Sequence, residues 1–373
     1  MNITLLLYAF VFIGGLFFSQ QGNTDENRRN YIVLMMTVLT LESCLRGLSV
    51  GSDTMNYFNF FNEAINLSWK DIGGEFINRY VTHDTEADVG FLLFNKIISL
   101  FTSNFSVYLG VCALFFFIPF GKLLYRYTTD FTQLVFIFTL YVALFNMIAM
   151  SGVRKEIALG CSVWATMAWI DKNYKGVFIS LVIGTLIHMS TLLWLLIPAF
   201  SFFDTKKLRV FHIAGLALAP VVIAASGLIL VYMGNFVGME KYAEYGKNGI
   251  AGGAITFTVM IEIISLFCLI AYWKIDYKKG NYMHILYTAF PCFSFFAPLI
   301  TNNGSMIRIS QYFHLYVMLL LPFAIDIFFH NKRRMVYVLL AVSLIYLSLK
   351  SETMDYKFIW EDNLFNNSLI YFE

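Results

Sequence analysis

Arg154, Lys155 and Glu156 stand between two long apolar runs in NMIAMSGVRKEIALGCSVWATMAWI, which begins at Asn146, and His188 lies inside a third run, LVIGTLIHMSTLLWLLIP. Ionisable groups at such depth are costly unless they face protein or water, so each is a functional candidate. An arginine keeps its charge at any relevant pH, and its planar fork matches phosphate oxygens in pairs. Arg154 is therefore a candidate clamp for a phosphate or diphosphate. The competing role is a long basic side chain snorkelling to the headgroups. His188, with Ser190 and Thr191 beside it, is a candidate general base, against the ordinary alternative of a satisfied buried histidine.

Other residues widen the list. Arg46 follows Glu42 by four positions, which puts both on one helix face as a structural ion pair or as part of an anion site. In GSDTMNYFNFF, Asp53 is placed to cap a helix running through Tyr57 or to orient a sugar hydroxyl. In TNNGSMIRISQYFHLY, Arg308 stands where a helix begins and Tyr312 lies one turn further on the same face. The pair fits either an anionic ligand or an interface anchor. His83, Asp84, Glu86 and Asp88 offer hard ligands, but acids ahead of an apolar run are better explained by the positive end of a helix dipole. No metal and no cofactor is expected.

The elements that must position these groups are membrane helices. Of 373 residues, 58% are hydrophobic, 18% aromatic and only 13% charged, against about 25% charged in soluble proteins. The net charge of +2 and the lack of a basic run argue against nucleic acid as a partner. All five cysteines (Cys44, Cys112, Cys161, Cys268, Cys292) fall in apolar runs without C-x-x-C spacing, so they are expected as packing residues. The run from Ile3 to Phe18 lacks the basic start and cleavage site of a secretory signal and is expected as a helix.

A crossing needs about 20 apolar residues. Residues 2–18, 31–50, 106–125, 131–150, 152–170, 208–233, 254–275, 282–300, 308–329 and 333–349 satisfy that length, which gives about ten full crossings in a single all-α membrane domain over residues 1–373. Residues 89–101 are expected as an amphipathic interfacial helix. Residues 177–203 are expected to enter and return as a short hairpin with His188 near its tip. A single crossing there would put several basic loops outside. With the hairpin, six basic connectors share the cytoplasmic side, and most acids fall on outer segments 51–105, 234–253 and 350–373 with both termini.

Taken together, LRGLSVGSDTMNYFNFF, EADVGFLLFNKIISLF, FNMIAMSGVRKEIALG, LIHMSTLLWLLIP and RISQYFHLYVMLLLP resemble, in that order, the EpsG and Wzy-type family of bacterial polysaccharide polymerases. Arg154 and His188 match the family's arginine and its histidine before a small residue. Lys155 departs from the glutamine common after that arginine. The resemblance implies a glycosyltransferase-C-like membrane enzyme without metal. It would act on polyprenyl-diphosphate-linked oligosaccharide repeat units at the outer face of the bacterial inner membrane, with room for a chain-length regulator as a partner. On that basis Arg154 and His188 are expected to be catalytic, and Arg46, Asp53, Tyr57, Arg308 and Tyr312 to bind substrate. A flippase or transporter of the same lipid-linked sugar and a membrane acyltransferase are the alternatives.

The loop charges make a topology test direct. A cysteine at Asn248 or Ser351 is expected to react with an impermeant thiol reagent from outside, and one at Asn331 is not. Reversed labelling would place the Arg154 end of the chain's helices toward the cytoplasm.

Overall fold

The computed structural model describes residues 2–82, 88–237, 244, 246, 254–275, 279–302, 306–351 and 355–362. Among them the chain is helical, and the only β-type pairing is one isolated bridge. Six stretches are long and apolar enough to cross a membrane: Ile3–Gln20, Phe105–Tyr127, Thr205–Tyr232, Ala254–Trp273, Tyr282–Thr301 and Ile307–Phe329. The chain is a multi-pass membrane protein. The other four expected crossings are also helical, but each is shorter or carries more charge. The chain divides into two compact units, Met1–Trp169 with Asn173–Leu192 and Arg334–Glu373, and Ile170–Lys172 with Leu193–Arg333.

The first unit begins with α1 (Ile3–Gln20) and α2 (Asp25–Leu45), whose backbones approach where Gly14 and Gly15 meet Tyr31. Small residues permit such approach where lipid gives helices no hydrophobic reason to associate. Then come α3 (Thr54–Asn66), α4 (Trp69–Ile77), α5 (Val89–Ser99) and α6 (Phe105–Tyr127). α6 runs antiparallel to α2, because Gly121 faces Ile32 and Met36 while Gly110 faces Cys44. At 11 residues, α5 is about 16 Å long and too short to cross. Its polar side is not turned to water as an interfacial helix would require. Lys96 donates to the Ile65 carbonyl (2.9 Å) and Asn95 accepts from the Tyr108 hydroxyl (2.8 Å), while Ile97, Leu100 and Phe101 are exposed. The polar side chains Lys96 and Asn95 are thus met by protein, and it is apolar residues that α5 exposes.

Two helices break where the sequence suggests continuity. The expected span 131–150 divides into α7 (Phe131–Leu144) and α8 (Asn146–Met150) at Phe145, and the break lets the Asn146 amide donate to Glu42 at 2.7 Å. After α9 (Val153–Ile170), α10 (Tyr174–Ile187) stops at His188, whose backbone is extended (φ −158°, ψ 115°). Thr191 then lies against Gly184, so the helix is broken sharply at the histidine. This matches the expected break, and α10 alone, about 21 Å long, spans no hydrocarbon core.

The end of α2 is clasped by residues 355–362. Gly47 donates to Lys357 and Ile359 to Leu45 around the Arg46–Phe358 bridge, and the Tyr356 hydroxyl donates to the Glu42 carbonyl. The Ser49 backbone and hydroxyl both donate to Asp362 at 2.8 Å. A side chain at Gly47 would collide with that carboxylate.

The second unit comprises α11 (Leu196–Ser201), α12 (Thr205–Val237), α13 (Ala254–Trp273), α14 (Tyr282–Tyr287), α15 (Ala289–Phe296) and α16 (Ile307–Phe329). His212, 0% exposed, sits against Tyr287 (2.8 Å) and Ser265 (2.7 Å), and Ser265 reaches Ser294 (2.7 Å). One histidine with both ring nitrogens engaged thus ties α12, α13, α14 and α15 together. α17 (Arg333–Ser351) is the last helix among the described residues, its residues from Arg334 belonging to the first unit.

Glycines set the closest helix contact in the first unit, where a side chain at Gly160 of α9 would strike the Phe115 carbonyl of α6. Gly160→Ala is expected to lower stability by about 1 to 3 kcal/mol. Gly73→Ala, with open space around it, is expected to be neutral or slightly stabilising. Thermal midpoints of the two variants in detergent provide the check, and equal midpoints would contradict the close α6–α9 contact.

Candidate functional site

The Asp88 carboxylate joins two residues that are distant in sequence. It accepts from Arg154 Nη1 at 2.9 Å and lies 3.3 Å from His188 Nδ1. Three different helix ends bring them together: Asp88 immediately precedes α5, Arg154 lies in the first turn of α9, and His188 follows the last turn of α10. Gly90 is what lets α5 approach, since any side chain there would meet the Leu186 carbonyl just before His188. Asp88 occupies the N-cap position of α5 but makes no capping hydrogen bond. Its carboxylate contacts Arg154 and His188, which the expectation of a helix-dipole role did not include. Asp84, Glu86 and His83 lie outside the described residues.

The geometry leaves reactive atoms available. An ionised carboxylate only accepts, so the Asp88 contact selects the tautomer with hydrogen on His188 Nδ1 and leaves Nε2 as a base. Only one of the three Arg154 nitrogens is bonded among the described residues, and Nε is buried without a partner. The Arg154 side chain is 32% exposed, His188 28% and Asp88 18%, so the cluster is open to a ligand rather than sealed. The Arg154 guanidinium also lies 6.0 Å from the ring centre of Tyr57 and 5.6 Å from that of Phe91, with the two rings edge to face. Aromatic faces steady a cation without consuming its hydrogen-bond donors.

A second cluster adjoins the first along α9. Lys155 and Glu156, next after Arg154, are 2% and 3% exposed. Arg46, which is 1% exposed, lies within electrostatic range of both Glu156 and Glu42, and its Nη1 reaches Ser43 at 3.4 Å. Glu42, also buried, accepts from Asn146. The expected i, i+4 helical pairing of Glu42 with Arg46 takes a different form, because α2 ends at Leu45 and Arg46 has extended backbone (φ −72°, ψ 144°). Oppositely charged groups thus share a buried neighbourhood beside Arg154, between the first turn of α9 and the end of α2.

The EpsG family model matches residues 29–365. The chain belongs to the EpsG family. No curated protein and no solved structure matches it. The EpsG match spans every candidate residue, and the family is associated with polysaccharide synthesis at membranes.

Of the residues expected from sequence, the structure brings Arg154, His188 and Tyr57 together in this EpsG chain. Asp53 stands one turn before Tyr57, its carbonyl accepting from the Tyr57 amide at 3.1 Å. Arg46 is in the adjoining buried cluster. Arg308 and Tyr312, on α16, belong to the second unit, where Tyr312 is 1% exposed. Asp88 is the residue that sequence reasoning passed over. Its one signal was position: it is the last acid before the apolar run.

Asp88→Asn separates the two roles of that carboxylate. Asparagine serves nearly as well at an N-cap but cannot hold an arginine and a histidine by charge. Polysaccharide output at matched membrane abundance is expected to fall about a hundredfold or more, in the range of acid–base catalysis, with little change in thermal midpoint. Output near normal with a lowered midpoint would return Asp88 to a helix-end role.

Proposed function

We propose that the chain is a polysaccharide polymerase that transfers a growing glycan from a polyprenyl-diphosphate donor to a lipid-linked repeat-unit acceptor. The observation that carries this reading is the Asp88 carboxylate holding a diphosphate-type ligand, Arg154, beside an oriented base, His188. In a single displacement, His188 Nε2 takes the proton of the acceptor hydroxyl as its oxygen attacks the anomeric carbon. The bond from that carbon to the diphosphate breaks, and inversion follows. The diphosphate leaves with its electron pair, and the free Arg154 nitrogens meet the charge that develops on it. Asp88 keeps the imidazole aligned and offsets the positive charge it acquires, as a carboxylate does behind any catalytic histidine.

Tyr57 and Asp53 are proposed on the acceptor side, with Asp53 the alternative base. Arg46, at 1% exposure, is proposed as a positioning residue through Glu156 rather than as a direct ligand. Arg308 and Tyr312 are proposed as substrate contacts in the second unit on residue type. The loop charges support an active site on the outer face of the bacterial inner membrane. Transport of a lipid-linked sugar needs cations but no base, and acyl transfer by His188 needs no diphosphate clamp, so the paired Arg154 and His188 favour glycosyl transfer over both.

The test is Arg154. A clamp loses its fork in Arg154→Lys, so Arg154→Lys and Arg154→Ala are both expected to fall by about a hundred- to a thousandfold in rate. The readout is the ladder formed from lipid-linked repeat units by purified variants. Near-normal ladders from Arg154→Lys would mean that charge alone suffices and would remove Arg154 from the reaction.

A further inference from the structure

Between α2 and α6 lies a cavity of about 460 Å³ whose character changes along its length. At one end stand Arg29, Lys122 and Tyr125, all exposed; toward the other it is lined by residues such as Met36, Leu114 and Ile118. The only polar side chains in the apolar part, Thr37 and Thr40, spend their hydroxyls on the Val33 and Met36 carbonyls of their own helix (2.8 and 2.7 Å). The trough therefore offers hydrogen-bond donors at its basic end and none within. No carboxylate lines it, and among the described residues neither Arg29 nor Lys122 has an acidic partner. The Lys122 ammonium is instead held 4.4 Å from the ring centre of Trp164.

From Arg29 to Leu41 the wall of the trough is thirteen residues of helix, about 18 Å from end to end. That is close to half the roughly 30 Å hydrocarbon core, the depth of one leaflet. Tyr125 and Trp164, both part-exposed at the same end as the cations, are the residue types that sit at headgroup level. From this geometry we infer that the trough binds one anionic glycerophospholipid of that leaflet, its acyl chain along α2 and α6 and its phosphate between Arg29 and Lys122. Basic pockets between helices take such headgroups, whereas a zwitterionic headgroup would bring a cation against two others. A polyprenyl chain, longer than a leaflet, would overrun the trough. The site is separate from Asp88, Arg154 and His188, and the inference stands without the proposed reaction.

Native mass spectrometry of the full-length protein with phosphatidylglycerol or phosphatidylcholine added tests it. The unmodified protein is expected to retain phosphatidylglycerol in preference and to gain thermal midpoint from it. The double variant Arg29→Ala/Lys122→Ala, which alters exposed side chains only, is expected to keep its lipid-free midpoint and lose about thirtyfold of the preference. Ile118→Trp, which fills the trough and leaves the cations, is expected to lose retention of both lipids. Equal retention of the two lipids by the unmodified protein, or an undiminished preference in the double variant, would overturn the inference. Displacement of phosphatidylglycerol by a polyprenyl monophosphate with the same dependence on Arg29 and Lys122 would overturn the choice of occupant.

Discussion

A charge inside a bilayer must be matched by protein, and the first unit is arranged around that requirement. The beginning of α9 carries three consecutive ionisable residues, and each turns to a different neighbourhood. Arg154 meets Asp88, while Lys155 and Glu156 are buried, Glu156 within electrostatic range of Arg46. The buried cluster anchors the helix; the half-open one keeps unused donors. The difference in exposure, 1 to 3% for Arg46, Lys155 and Glu156 against 32% for the Arg154 side chain, divides structural charge from available charge.

Irregular backbone at membrane depth is tolerated only where protein or water satisfies it, and the breaks in this unit obey that limit. The interruption at Phe145 delivers Asn146 to Glu42. The stop at His188 frees its ring for Asp88, and the Thr191 amide and hydroxyl then donate to the His188 carbonyl (3.0 and 2.8 Å). Residues 355–362 supply backbone partners to the end of α2 just where Arg46 leaves the helix. Each interruption thus places a polar group that a continuous helix would have aimed elsewhere.

The second unit uses its polar groups differently. His212 has hydrogen-bonding partners on two other helices, one of which, Ser265, bonds Ser294 on a third, and it stacks on Phe290 at 5.3 Å, while the Tyr272 hydroxyl bonds the Leu320 carbonyl across to α16. A network with its atoms engaged and its histidine fully buried joins helices. In the first unit His188 is part-exposed and, among the described residues, only its Nδ1 has a partner.

Composition and apolar run length were enough to establish a helical, multi-pass membrane protein, because crossing hydrocarbon imposes a length and a residue type that few sequences meet by accident. The order of five motifs placed it in its family, and the isolation of Arg154 and His188 among apolar residues marked both, since only function or a buried partner sustains an ion there. Their partner was not legible. Asp88 is 66 residues from Arg154 and 100 from His188, and at the start of a helix its type and place match a dipole role equally well. Which role it takes depends on Gly90 letting α5 against α10 and on α9 being held at the end of α2. Helix periodicity likewise suggested an Arg46 paired with Glu42 along one helix face; only the packed chain, by ending α2 at Leu45, brought that guanidinium into the shared field of Glu42 and Glu156. Sequence records which groups are costly to bury, and tertiary contacts decide which opposite charge each one meets.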